Sequence, residues 1–167
     1  MLFRSLKLRR EPQPSPDRQQ CRDLLIERLQ RGGTLDVLGW TPAAVQLRRR
    51  LDLAYRRLGP PWQPRDPEGL LGSLSDWLGD ALEGCQSWRD LDATTLENAL
   101  WGSLEWSHRQ ELERLLPRRL SIPSGRSAEL TYEEDGQVVL AVKLQEMFGC
   151  ETGPTVLQGE LPVTVEL

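Results

Sequence analysis

The hydrophobic period of this chain changes at Pro117, and that change limits its fold more than any other feature. Before it, apolar residues recur every three or four positions, the spacing of helices that bury one face. After it they alternate, the spacing of strands with one face against a core. Helices and strands segregated along a chain build α+β folds. The expected architecture is an N-terminal helical segment followed by a small antiparallel β domain.

The helical part divides at its caps and breakers. Asp17 is placed to cap a first helix, whose Cys21, Leu24, Leu25 and Leu29 repeat until Gly32-Gly33. Thr41 caps a second, with Pro42 in its first turn and Gly59-Pro60 at its end. Its apolar stripe is Ala44, Leu47, Leu51, Ala54 and Leu58, beside a stripe of Arg49, Arg50, Arg56 and Arg57. Past a proline-rich linker, Asp66-Pro67 opens a run of short helices. Leu70, Leu71, Leu74, Trp77 and Leu78 give one apolar face, and Leu96, Ala99, Leu100 and Leu104 another. Ser107-x-x-Gln110 reads as the capping box of a last helix bearing Leu112, Leu115 and Leu116.

Strands are expected over 120–123, 128–133 and 138–143, with Asp135-Gly136 turning the second into the third. A helical turn follows at Leu144 to Gly149, then strands over 155–157 and 161–167. Three strands, a short helix and two strands is the order of an OB-fold barrel. The last strand ends with the chain, so this OB-like domain is expected to be incomplete at its C-terminal end. The divisions are therefore 1–16, a strand at Leu6 to Arg9 with a proline-rich connector; 17–117, helical; and 118–167, β.

Composition, at 38% hydrophobic and 28% charged, is that of a soluble globular protein. No apolar run reaches the roughly 18 residues that a membrane span needs. Cys21, Cys85 and Cys150 are odd in number and far apart, which points to a reducing compartment and a cytoplasmic location. The net charge of −4 is uneven. Residues 1–60 hold 13 Lys/Arg against 6 Asp/Glu, whereas residues 61–117 hold 4 against 11. Such asymmetry fits an internal match between segments or a basic surface facing an anionic partner.

Motifs for catalysis are missing from the sequence. No G-x-x-x-x-G-K-[ST] or G-x-G-x-x-G stretch is present to hold nucleotide phosphates. Three scattered cysteines and one histidine do not supply a zinc site. His108 lies in a helix-start segment, and Ser124 lacks the G-x-S-x-G elbow, so cap and turn roles are preferred to catalysis. Glu133-Glu134-Asp135 is read as a solvated hairpin tip rather than a cation site. The arginine stripe would suit phosphates, or would pair internally with the acidic middle segment. Trp77 and Trp101 fall on apolar faces and are expected in the core, while Trp40 and Trp62 are expected to staple turns to helices.

Leu120-Ser121-Ile122-Pro123-Ser124-Gly125-Arg126, Leu130-Thr131-Tyr132 and the run from Val139 to Gly149 carry a resemblance. They are similar to the C-terminal region of bacterial HrpB-type ATP-dependent helicases, which are DEAH/DExH-box proteins. Leu38-Gly39-Trp40-Thr41, Asp76-Trp77-Leu78 and the Leu6-to-Pro16 passage also resemble that family. The resemblance implies helicase motor domains upstream, where ATP and Mg would be needed; no cofactor is expected in this chain. It further implies an OB-like domain lying over a nucleic-acid channel. Matched by position, the residues implied to meet nucleic acid are Ser124, Arg126, Lys143 and Gln145, with Arg118 and Arg119 as basic neighbours. Two readings stay open. One is an accessory region binding single-stranded RNA or DNA, and the other a scaffold packing on motor domains or another protein.

Overall fold

The computed structural model describes residues 18–148 and 153–167. The expected strand at Leu6 to Arg9, the Asp17 cap, Gly149 and Cys150 lie outside them. Among the described residues seven α-helices precede the strands: α1 (Arg18–Gly32), α2 (Pro42–Leu58), α3 (Pro67–Gly72), α4 (Leu74–Trp77), α5 (Gly79–Leu82), α6 (Thr95–Gly102) and α7 (Trp106–Leu115). Six described strands follow: β1 (Arg119–Ser121), β2 (Ser127–Tyr132), β3 (Val138–Ala141), β4 (Thr155–Val156), β5 (Leu161–Pro162) and β6 (Thr164–Glu166). The change of period at Pro117 is thus the change from helix to strand, and the α+β class is observed.

Helix α2 forms as its sequence dictates. The Thr41 hydroxyl accepts from the Ala44 amide at 3.1 Å, Pro42 fills the first turn, and Gly59 closes the helix at φ 69°. Its Ala44, Leu47, Leu51 and Ala54 are buried, while Leu58 at the end of the stripe is exposed. Helix α3 starts at the Asp66 cap, whose carboxylate accepts from Gly69. In α1 the buried face is Leu25, Ile26 and Leu29, and Leu24 points outward against expectation. The Ser107 capping box is not formed. Helix α7 begins two residues earlier than that box requires, at Trp106, behind an extended Glu105 that makes no side-chain cap.

Strands β1, β2 and β3 form an antiparallel meander. The final stretch, expected as one strand over 161–167, breaks at Val163 into two. β5 pairs antiparallel with β4, and β6 lies parallel to β3, with Leu140 opposite Val165. The main sheet therefore runs β1-β2-β3-β6. Closure into a barrel is not seen among the described residues, since β1 pairs with β2 alone and β4 with β5.

The inward faces of both halves share one hydrophobic core, in which Leu47, Leu51, Leu100 and Leu112 join Leu130, Tyr132 and Leu140. Polar bonds tie the halves together. Gln46 exchanges two hydrogen bonds with the Tyr132 backbone, at 2.7 and 3.1 Å. The buried Tyr132 phenol donates to the Pro117 carbonyl at 2.6 Å. Burial pushes that phenol's pKa up, so it stays a neutral donor.

Candidate nucleic-acid interface

Three structural units carry the residues singled out in the sequence. The first is the β1–β2 turn, closed by the Ile122 amide on Arg126 and the Gly125 amide on Ile122, with Gly125 at φ 95°. A side chain at that φ is strained, which explains the glycine. Ser124 stands exposed at its tip. The second is a 3-10 turn over Leu144–Met147, entered from extended Lys143 and left through extended Phe148. Arg126 joins the two. Its guanidinium donates to both Glu146 oxygens, from Nε at 2.5 Å and from Nη2 at 3.0 Å. Glu146 also accepts from the Lys143 amide at 3.0 Å. These bonds, with Arg126 the largest contributor, hold the Glu146 carboxyl pKa at about 2 and raise that of Arg126.

This clip joins the two turns that carry Ser124, Arg126, Lys143 and Gln145, all four exposed. It also spends the Arg126 charge on Glu146, so Lys143 is their more available cation. Beside them lie two large apolar side chains that the sequence reading did not name as site residues: Leu144, 56% exposed, and Phe148, 69% exposed. Arg118 and Arg119 are exposed but engaged locally. Arg118 reaches Glu129 at 3.4 Å, and Arg119 donates to the Ser127 hydroxyl and carbonyl at 3.0 and 2.9 Å.

The third unit is the arginine stripe of α2, which turns inward at Arg50 and in part at Arg49, while Arg56 and Arg57 stay exposed. Arg50 is 2% exposed; its Nε donates to the Leu116 carbonyl at 2.8 Å and its guanidinium lies 5.8 Å from the Trp101 ring centre. Arg49 donates to the Tyr132 carbonyl at 3.1 Å, and Arg56 to the Glu134 carbonyl at 2.9 Å and to Asp52. Arg48, not among the expected four, is buried between the Arg65 carbonyl and the Glu134 carboxylate. Arg57 is exposed. The acidic hairpin tip is thus not merely solvated: Glu134 is the counter-charge of Arg48 and Arg49. A signal for Arg50 was available, since it sits three residues after Leu47 and four before Ala54, on the edge of the apolar stripe.

Tryptophan placement follows expectation. Trp77 is buried and Trp101 packs against the core, Trp40 donates to the Leu35 carbonyl, and buried Trp62 leans on His108 at 5.7 Å. Among the described residues no group of three or more His, Cys, Asp or Glu is arranged to hold a metal, and no helix is long and apolar enough to cross a membrane.

With this geometry in place, known relatives supply the family. Residues 77–167, over half the chain, match the family described as ATP-dependent helicase C-terminal (HrpB_C). The Escherichia coli K12 ATP-dependent RNA helicase HrpB is 36% identical over 163 residues, which is 97% of this chain and 20% of that protein. The chain belongs to the HrpB helicase family. A crystal structure of the E. coli DExH-box NTPase HrpB superposes with a TM-score of 0.82 at 37% identity, over 94% of this chain and 19% of that one. A second, of the E. coli DEAH/RHA helicase HrpB, gives 0.81 at 36% identity, over 94% and 20%. The chain therefore spans about a fifth of the HrpB proteins it resembles, and corresponds to part of the family's C-terminal region.

Proposed function

We propose that this chain is a non-catalytic accessory region of an HrpB-type helicase, and that its Ser124–Arg126 and Lys143–Phe148 turns meet single-stranded nucleic acid. One observation carries the reading. The Arg126–Glu146 clip joins two turns that carry an exposed cation (Lys143), exposed polar side chains (Ser124, Gln145) and an exposed aromatic ring (Phe148). Phosphates are held by such cations, and bases stack on such rings without sequence preference. ATP and Mg would then be handled by motor domains elsewhere in the helicase, not by these residues.

A second reading draws on the same turns. Leu144 and Phe148 are exposed apolar side chains of the kind that protein partners cover, so these turns would instead pack on the helicase core. Binding of a fluorescent single-stranded oligonucleotide across a salt series separates the two. A nucleic-acid face loses affinity steeply as salt rises, and Lys143→Ala flattens that dependence. Binding to separately expressed motor domains that salt leaves unchanged, with no oligonucleotide bound, supports the packing reading.

A further inference from the structure

The described residues bury four charged side chains, Arg48, Arg50, Asp52 and Arg65. Three of them have an opposite charge in contact: Arg48 has Glu134, Arg50 has Glu113 and Asp52 has Arg56. Arg65, 4% exposed, has none within ion-pair distance among the described residues. Its Nη1 and Nη2 donate to the Ser73 and Ser103 hydroxyls at 3.3 and 3.4 Å. Those hydroxyls donate onward to the Gly69 and Leu100 carbonyls. Neutral groups thus hold the guanidinium in position and leave its charge uncompensated. Burial lowers the Arg65 pKa, and the more distant Asp76 offsets that only in part. A buried charge without a counter-charge is unfavourable, and an anion from outside would relieve it.

The place for that anion is a cavity of about 180 Å³ between the linker that follows α2 and the start of α7. Trp62, Gln63, Arg65, Ser103, Glu105 and His108 supply its polar lining. Among the described residues that are not exposed, Arg50 Nη2 is the one side-chain nitrogen or oxygen sealed from solvent without a hydrogen-bond partner. Arg65 Nε and Trp62 Nε1 also make no hydrogen bond among the described residues, so each still reaches accessible space, although Trp62 is only 5% exposed. The cavity is the space that both residues line, and both bring donors to it. Glu105 is the acid of the lining, and its side chain is 79% exposed, where water and salt screen it.

The donors narrow the kind of anion. A carboxylate has two coplanar oxygens and is matched best by the paired hydrogens of one guanidinium. Here each Arg65 Nη already serves a serine, and the open donors sit on two separate residues. A phosphoryl group, whose oxygens spread tetrahedrally, accepts from several directions. Pockets for whole small molecules run from about 300 Å³ upward, so this cavity takes the group and not the molecule that carries it. We propose that it binds a phosphoryl group, with Arg65 Nε and Trp62 Nε1 donating to its oxygens. The site is separate from the Lys143 turns and does not rest on them.

The test is calorimetric titration of the whole chain with inorganic phosphate, AMP and acetate at fixed ionic strength. Phosphate binds with a Kd on the order of 1 mM, and acetate about tenfold more weakly. Phosphate bound without AMP marks the free ion as the source, and AMP bound equally well marks a phosphate ester; both support the site. Trp62→Phe keeps the ring, loses the N–H and weakens phosphate binding about fivefold. Arg65→Lys keeps the charge, loses the Nε donor and weakens it about tenfold. Both residues are buried, so Glu105→Gln accompanies them as a surface change that removes no side-chain cap. It takes away the negative charge at the rim and strengthens phosphate binding about twofold. Acetate bound as tightly as phosphate overturns the proposal and assigns the cavity to a carboxylate. No binding of phosphate or AMP overturns it too, as does phosphate binding that none of the three variants alters.

Discussion

Glu146 accepts two hydrogen bonds from Arg126, twenty residues earlier in the chain, at 2.5 and 3.0 Å. No local rule of secondary structure requires that contact. It ties the β1–β2 turn to the 3-10 turn, the two units that carry the exposed Ser124, Lys143 and Gln145.

The clip should titrate. Its carboxyl pKa falls from 4.5 to about 2 on folding. A depressed folded-state pKa means stabilisation that is complete above the unfolded value and lost as pH falls toward the folded one. The melting temperature of the wild-type chain should therefore exceed that of Glu146→Gln at pH 6, and the gap should shrink as pH is lowered from about 4.5 toward 2. A gap that stays constant to pH 3 would mean that the two turns are held by something else.

Glu134 should matter more than a hairpin tip normally does. It is half exposed, yet its partner Arg48 is 8% exposed. Removing one member of such a pair leaves a buried charge with less compensation. Glu134→Gln is expected to cost about 1–3 kcal/mol in urea unfolding. A change within about 0.5 kcal/mol, the size of an ordinary surface substitution, would show that the Arg65 carbonyl suffices for Arg48.

Tyr132→Phe removes the phenol that donates to Pro117 at the joint between helices and sheet. The shape is kept and one half-buried acceptor loses its partner, so a loss of about 1 kcal/mol is expected. Calorimetric melting should remain a single transition, because the core is common to both halves. Two separated transitions would contradict a shared core.

What the sequence revealed was what local chemistry decides. Thr41, Pro42 and Gly59 mark the ends of α2 because a cap, a fixed φ and a left-handed stop act within one helical turn. The Leu144 turn and the Asp135-Gly136 reversal are legible for the same reason. The fate of the arginines was not, because a guanidinium on a helix flank can face water or a neighbouring carbonyl, and only tertiary structure supplies the Leu116 and Tyr132 carbonyls. The parallel docking of β6 on β3 was equally hidden, since alternation identifies a strand but not its neighbour. Of the candidate site, the basic and polar residues were found by resemblance. Phe148 was quoted within that motif, but its exposure needed coordinates.

The most direct measurement is ultraviolet crosslinking of the chain to a single-stranded oligonucleotide, with the linked peptides identified by mass spectrometry. Crosslinks on the peptide bearing Lys143 to Phe148, lost at high salt and reduced in Phe148→Ala, are the predicted result. Crosslinks confined to the helical half around Arg57, or none at low salt, would contradict the assignment of these turns to nucleic acid.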